Sequence, residues 1–558
     1  MSEPQLLKPL PDWTEDEKPS MPGSPSTPHH TFPVRVVYGM VALLIGITGG
    51  LGTALVSANL PAIQGDLGLT PVEGSWLTAA YMMVNISANL LVFKFRQQYG
   101  MRLFAEIGLT LYAFFTLLHL YIDSFAMGMI VRMASGFAGA SVSTLAIFYM
   151  LQAFGKARMV NGLILGLGIS QLATPLAWIL SPALSDMGEW HVLYQFEAGL
   201  AVCSLAAVVA LKLPPGILIK TFEKTDFLTF FLIGSGLALI CAVLIQGVNQ
   251  WWFDAPWIGI ALALSWILLL GGGMIEHQRQ SPLIQTHWLF SIPTLRFAFG
   301  AFTMRFLLSE QTYGAVGMLR SFGMGQDQLQ ILYTAILAGL LVGIIGSAVL
   351  FNPKTMIFQI LFAVVLIIVG SALDYTSSNL TRPADMLLSQ FLIAMASGIF
   401  LGPMMLVGVM SALKNGPAYI VSFAVLFAVS QNVGGLAGPA LLGTFKLHRQ
   451  HEYSTQFIQD VQPTRPLVNE RLSIYSNSLS ASITDPQLRN AQGSAQLSQA
   501  TSQEASVRSY NDIFALTGLL AMVFLGWSLF HIVRLARKPK KTSSPSPMSP
   551  IRKHTDGR

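Results

Sequence analysis

Read for apolar runs, the chain breaks into about fourteen segments, each near the ~20 residues that cross a bilayer as helix. Short polar loops separate them. The first six predicted spans are Val36–Leu60, Ser75–Phe95, Leu103–Ile122, Phe125–Leu151, Val160–Leu180 and Val192–Leu213. Two more, Phe227–Gly247 and Pro256–Ile275, precede a final six: Leu295–Leu319, Leu329–Phe351, Met356–Leu373, Met386–Ala412, Ala418–Phe445 and Asn511–Val533. Backbone groups in lipid find no water, so spans of this length are helices. Before them, Met1 to Pro33 is polar and proline-rich, which predicts a tail without structure rather than a cleavable signal. Between about Lys446 and Tyr510 lies a long connection rich in Ser, Gln, Ala and Asn. There Asp485 followed by Pro486 reads as an N-cap and first helical residue, predicting a helix that runs on into the last span.

Composition agrees with a membrane protein: 53% of the 558 residues are hydrophobic and 11% charged, with mean hydropathy +0.56. The net charge of +6 reflects loop Lys and Arg, not a nucleic-acid surface. Alternate loops hold Lys94, Arg96 and Arg102; Lys156 and Arg158; Lys212, Lys220 and Lys224; Arg279; Lys354; and Lys414. The opposite loops hold mainly acids, with Arg320 and Arg382 as exceptions. By the positive-inside rule both termini are cytoplasmic and the number of spans is even. Cys203 and Cys241 lie in apolar runs and read as small packing residues. Glycines spaced on one helical face (Gly162/Gly166, Gly339/Gly343/Gly346, Gly434/Gly435/Gly438) mark close helix contacts.

Charges inside spans are costly and mark function by default. Arg132, Glu197, Arg305 and Glu310 are the four that stand out. A carboxyl held away from water is suited to load and release a proton, so Glu197 is the leading proton carrier, with Arg132 and Glu310 as further coupling residues. The alternative for Glu197 is a shallow position paired with a loop residue. Arg305 and Glu310, five apart, do not stack on one face; each suits a cavity wall or an inter-helix ion pair. Trp76, Tyr81, Asn85, Asn89, Gln171, Trp178, Gln311, Tyr313, Gln431 and Asn432 are candidates to line a pocket for flat amphipathic ligands, and each taken singly also suits helix packing. His448 and His451 have metal-like spacing but no further ligands, so no metal or cofactor is expected. No phosphate-binding loop and no nucleophile with a base is present in the sequence, which argues against an ATPase or another enzyme.

Several stretches resemble the fourteen-span drug:proton antiporter branch of the major facilitator superfamily (EmrB/QacA-like). After the first span, LGTALVSANLPAIQGDLGL is similar to the branch's LDxTIVNVALPxIxxDLG, and SWLTAAYMM follows where the branch has a Trp-led second span. IVRMASGFAGA in the fourth span is similar to the Arg-x-x-x-Gly motif, and SQLATPLAWILSPALSD resembles the antiporter motif. SQNVGGLAGPALLG and VRSYNDIFALTG also look like branch members. The departures are specific. The branch's first-span Asp falls at Gly52, its Thr at Ala54 and its Asn at Ser57. The gate motif keeps Gly100 and Arg102 but has Gln97 and Phe93 for its Asp and first Gly. The antiporter motif keeps Pro175, with Thr174, Trp178 and Ile179 at its glycines.

The resemblance implies an all-α polytopic fold of two six-helix bundles, 36–213 and 295–533, with two extra spans at 227–275, a cytoplasmic tail at 1–35, a periplasmic loop at 446–510 and a basic tail at 534–558. It implies rocking of one bundle against the other about a central site, and a part for Arg132 in proton coupling. The activity implied is proton-driven export of small amphipathic organic compounds across the bacterial inner membrane. With no acid at Gly52, an anionic or neutral aromatic substrate matches as well as a cation. The resemblance also permits a tripartite pump with a periplasmic adaptor and an outer-membrane channel; a receptor or scaffold on the same fold is a third reading. From the residues themselves, Glu197 is suited to stand in for the missing acid.

Overall fold

The computed structural model describes residues 6–9, 11–15, 17–19, 21–186, 190–279, 282–416, 419–462 and 464–537. Long helices make up nearly all of it. The first half contains α1 (Phe32–Asp66), α2 (Pro71–Tyr99), α3 (Met101–Leu118), α4 (Phe125–Phe154), α5 (Met159–Asp186) and α6 (His191–Ala210). The two extra spans are α7 (Lys224–Gln246) and α8 (Pro256–Gln278). In the second half, α9 (Ile292–Leu307) passes through a π-helical segment, Glu310–Ala315, into α10 (Val316–Ser321). After it come α11 (Gln330–Val349), α12 (Met356–Asp374), α13 (Leu387–Leu413), α14 (Tyr419–Asp460), α15 (Pro466–Ser478) and α16 (Pro486–Ala536).

Among the described residues, thirteen helices are long and apolar enough to cross a membrane. The fourteenth crossing is the α9–π–α10 run, broken where Glu310 enters the apolar stretch. The face on which α1 begins and α16 ends is called the near face; the other is the far face.

Why these helices pack as they do is visible where α11 crosses α13. A Cβ on Gly339 would strike the Phe391 carbonyl, and one on Gly343 would strike that of Met395 and stand 3.1 Å from Gly398 Cα. Small residues let these backbones touch, which in lipid supplies the packing energy that hydrophobicity does not.

The extra spans are pinned to α2 at the near face by ions. Lys94 Nζ of α2 lies 2.7 Å from both Asp226 oxygens at the start of α7. Arg279, just past α8, donates to Asp226 (2.7 Å), Glu276 (2.7 Å) and Glu223 (2.9 Å). Glu276 in turn accepts the backbone N–H groups of Leu283 and Ile284. Burial works against the Arg279 charge, but its three carboxylate partners outweigh that and hold its pKa above the ordinary guanidinium range.

Three expectations are corrected. The tail is laid along the near face: it forms antiparallel bridges between Leu6 and Ile219 and between Pro25 and Gly216. Gln152 Nε2 donates to the Ser26 carbonyl at 2.8 Å, and Met21 reaches the apolar core of the second half. An extended Pro-rich segment satisfies the irregular linker after α6, whose backbone has no helix to pair it. Cys203 is exposed, on the outward side of α6, while Cys241 is buried. Finally, the connection after Lys446 is largely helical. α14 continues to Asp460 and α15 follows where a loop was expected. The expected helix from Pro486 into the last span is present as α16, with Asp485 Oδ1 accepting from Gln487 N at 2.8 Å.

Candidate functional site

The in-span charges fall into three places. The first lies inside the first half. Glu197 on α6 is 3% exposed. Its Oε1 stands 2.7 Å from Tyr112 Oη of α3, and that oxygen is also 3.0 Å from the Thr48 carbonyl of α1. Arg132 on α4, fully buried, donates Nη1 to the Gly52 carbonyl at 2.9 Å and Nε to the Leu77 carbonyl at 3.3 Å. Its guanidinium lies over the Tyr81 ring at 4.6 Å, and Nη2 has no partner. Arg132 and Glu197 do not meet in an ion pair among the described residues.

Gly52 joins these groups. A Cβ there would strike Tyr112 Oη and stand 2.7 Å from Glu197 Oε1. The Glu197 carboxylate thus occupies the space that a side chain at position 52 would fill, on the same residue whose carbonyl anchors Arg132. A carboxylate delivered from α6 sits where the motif puts one on α1.

The second place is the seam between halves. Arg305 Nη1 of α9 reaches Gln171 Oε1 of α5 at 3.5 Å. Gln431 of α14 donates to the Ala301 carbonyl at 3.2 Å, beside Gly434 and Gly435, which press on Arg305. Trp178 packs on Tyr333 of α11 with ring centroids 5.0 Å apart. Toward the far face Gln326 bonds the Ala58 carbonyl at 2.7 Å and Gln330 that of Ile179 at 3.2 Å; toward the near face Asn161 bonds the Ala348 carbonyl at 3.0 Å. The halves therefore touch at three levels along this seam.

The third place is inside the second half. Glu310 and Gln311 open the π segment. Gln311 Nε2 donates to the Gln390 carbonyl at 3.0 Å, and Gln390 Nε2 donates to Glu310 at 3.3 Å.

The four in-span charges do not line one shared site: of them only Arg305 reaches the seam. Arg132, Glu197 and Glu310 turn into their own bundles, where carbonyls, a phenol and an amide offset their burial. Asn85 donates to the Gly136 carbonyl at 3.1 Å and so ties α2 to α4. Asn89 and Asn432 bond carbonyls of their own helices, Trp76 packs on Trp257 of α8, and Tyr313 lies against Gly443. Two open depressions of about 510 and 380 Å³ are lined by none of the predicted residues.

A family model described as Major Facilitator Superfamily matches residues 42–439. The chain belongs to that superfamily. Multidrug export protein EmrB of Haemophilus influenzae is 22% identical over 505 residues, 88% of this chain and 93% of that protein. The uncharacterized transporter YebQ of Escherichia coli is 28% identical over 191 residues; the match spans 33% of this chain and 40% of that protein. Two solved structures share the fold. The human organic anion transporter MFSD10 (TETRAN) has a TM-score of 0.53 and 14% identity, covering 87% of this chain and 99% of that one. The proton:xylose symporter XylE has a TM-score of 0.51 and 14% identity, covering 89% and 97%. This superfamily consists of membrane transporters, not enzymes.

For this major facilitator chain, reading by charge missed several neighbours. Tyr112 and Thr48 carry no charge. His119, stacked on Tyr194 with ring centroids 4.4 Å apart beside the Glu197 cluster, lies inside the predicted third span but carries no fixed charge. Asp374 falls one residue beyond the predicted end of its span.

Proposed function

We propose that this chain is a proton-driven exporter of small amphipathic organic compounds, with Glu197 as a proton carrier. The observation that carries the reading is the Glu197 carboxylate seated against Gly52 beside Arg132. Tyr112 has one hydroxyl hydrogen and two oxygen neighbours. If it donates to the Thr48 carbonyl, the hydrogen between Tyr112 and Glu197 must come from the carboxyl. If Glu197 is ionised, Tyr112 turns its hydrogen to the carboxylate and releases Thr48 on α1. Loading and unloading one proton thereby makes and breaks a bond between α1 and α3, two helices of the rocking half.

The substrate meets the seam, where Arg305, Gln171 and Gln431 supply a cation and two amides, with Trp178 and Tyr333 as flat apolar surfaces. That set suits an aromatic anion or a neutral aromatic at least as well as a cation. The setting is the bacterial inner membrane, with both termini in the cytoplasm and the near face cytoplasmic. Similarity to EmrB supports export as the direction. In near-face-out vesicles, an imposed proton gradient should drive accumulation of at least one class from a panel of aromatic anions, neutrals and cations, and Arg305→Ala should weaken the anionic class most. No gradient-dependent uptake of any class would sink the reading.

A second reading, membership of a tripartite pump, is favoured by the helical extension beyond the far face. There Ile458, Leu467, Ile474 and Leu488 are exposed on α14, α15 and α16, as a surface for a periplasmic adaptor would require. Deleting residues 473–503 without loss of adaptor copurification would count against it.

A further inference from the structure

We propose that Glu310 and Asp374 form a second proton-binding site, in the second half, holding one proton between them. The proposal rests on the exporter reading for the proton's use in transport, though not for its binding.

The two carboxyls come from different helices and are both buried: Glu310 on the π segment is 0% exposed and Asp374 at the end of α12 is 2% exposed. They lie within hydrogen-bonding reach of each other. Gln390 of α13 bridges them, its Nε2 donating at 3.3 Å to Glu310 Oε1 and at 2.7 Å to Asp374 Oδ2. Glu310 Oε2 has no donor.

No cation offsets the pair among the described residues. Arg305, on the same crossing, reaches toward Gln171 on the other half. Arg320 of α10 is bonded to Tyr333 of α11. From α13 the pair meets only Gln390 and Ser389. On α16, Tyr510 lies beside Tyr313 of the π segment, and Asp512 is tied to Arg449 of α14. Two adjacent carboxylates without a counter-charge cannot both be ionised in a dry interior. One shared proton removes the second charge and supplies the missing donor.

A metal ion fits less well. The Gln390 amide already occupies one oxygen of each carboxyl, whereas hard cations gather many oxygens. Two further hydroxyls are buried without partners where α12 meets α16: Ser371, one turn before Asp374, and Thr517, one turn after the Phe514 that packs on Gly314. Their unused hydrogen-bonding capacity gives the proton polar neighbours along the α12–α16 contact. The wide π turn at Glu310 is the kind of local irregularity found at functional sites. Loss of the proton would set two like charges against each other across the π segment and α12, at the far end of the half that carries the Tyr333 and Gln330 seam contacts.

Infrared spectroscopy of the full-length protein in lipid nanodiscs tests this, with Glu197→Gln as background so that Glu197 contributes no carboxyl band. A protonated-carboxyl C=O band that shifts in deuterium oxide is expected in that background, and should vanish on adding Asp374→Asn or Glu310→Gln. Should either added change prevent folding, Gln390→Ala, which keeps both acids, should move the band's frequency. No such band at any pH at which the protein is stable overturns the proposal. So does a band that persists in both added variants, or one abolished by replacing choline chloride with sodium chloride, which would make the occupant a metal ion. The band needs no transported compound, so a retained band with no transport counts against the exporter reading alone.

Discussion

If the Glu197 carboxylate fills the place of a side chain at position 52, adding even a methyl there should collide with it. Gly52→Ala puts a Cβ 2.7 Å from Glu197 Oε1 and into Tyr112 Oη. Neither neighbour is free to retreat, since Tyr112 is held by Thr48 and both residues are buried. Overpacking of this kind costs about 1–3 kcal/mol. Glu197→Ala by itself removes one of the two oxygen partners of Tyr112, which keeps its bond to Thr48, and costs about 0.5–1.5 kcal/mol. In the double variant the carboxylate is gone and half the clash with it, so the two penalties should fall short of additivity by about 1 kcal/mol. The assay is a double-mutant cycle on unfolding free energies in mixed micelles. Additivity within about 0.5 kcal/mol would mean that the two positions do not share space and would refute the argument. A functional extension is Gly52→Asp with Glu197→Ala, which should recover gradient-driven transport that Glu197→Ala alone loses.

Two further predictions concern the scaffold. Asp226→Asn leaves Lys94 buried against a neutral amide, while Arg279 keeps Glu276 and Glu223, and should cost about 3–5 kcal/mol, read as early proteolysis in the linkers flanking α7; adding Lys94→Met should restore most of the loss. Gly343→Ala forces a Cβ against the Met395 carbonyl and should destabilise by about 1–3 kcal/mol, whereas Gly346→Ala, with open space around its Cβ, should stay within about 0.5 kcal/mol; equal effects at both positions would remove the close α11–α13 contact from the account.

The spans were legible because lipid forces length, apolarity and charge alternation onto each crossing. The ninth was readable as a span but not as a broken one: nothing in the spacing of Arg305 and Glu310 announces a π turn, which arises from tertiary packing against α13 and α16. Asp374 escaped because a hydropathy boundary drawn at Leu373 cut away the acid that completes the Glu310 pair. Tyr112 and Thr48 escaped because a search for charges passes over uncharged donors and backbone carbonyls. Gly52 was legible as a departure from the branch's pattern, but its meaning was not, since only the fold brings α6 against α1. The tail's composition spoke for disorder, yet the unpaired linker after α6 offers it backbone partners that composition does not reveal.

The most direct test of the central claim is proton-coupled flux through the full chain in proteoliposomes, comparing wild type with Glu197→Gln. Glutamine keeps the size and the contact with Tyr112 but carries no dissociable proton. The account predicts that the variant still exchanges labelled substrate by counterflow while losing its response to a proton gradient. Undiminished gradient-driven transport by Glu197→Gln would contradict it.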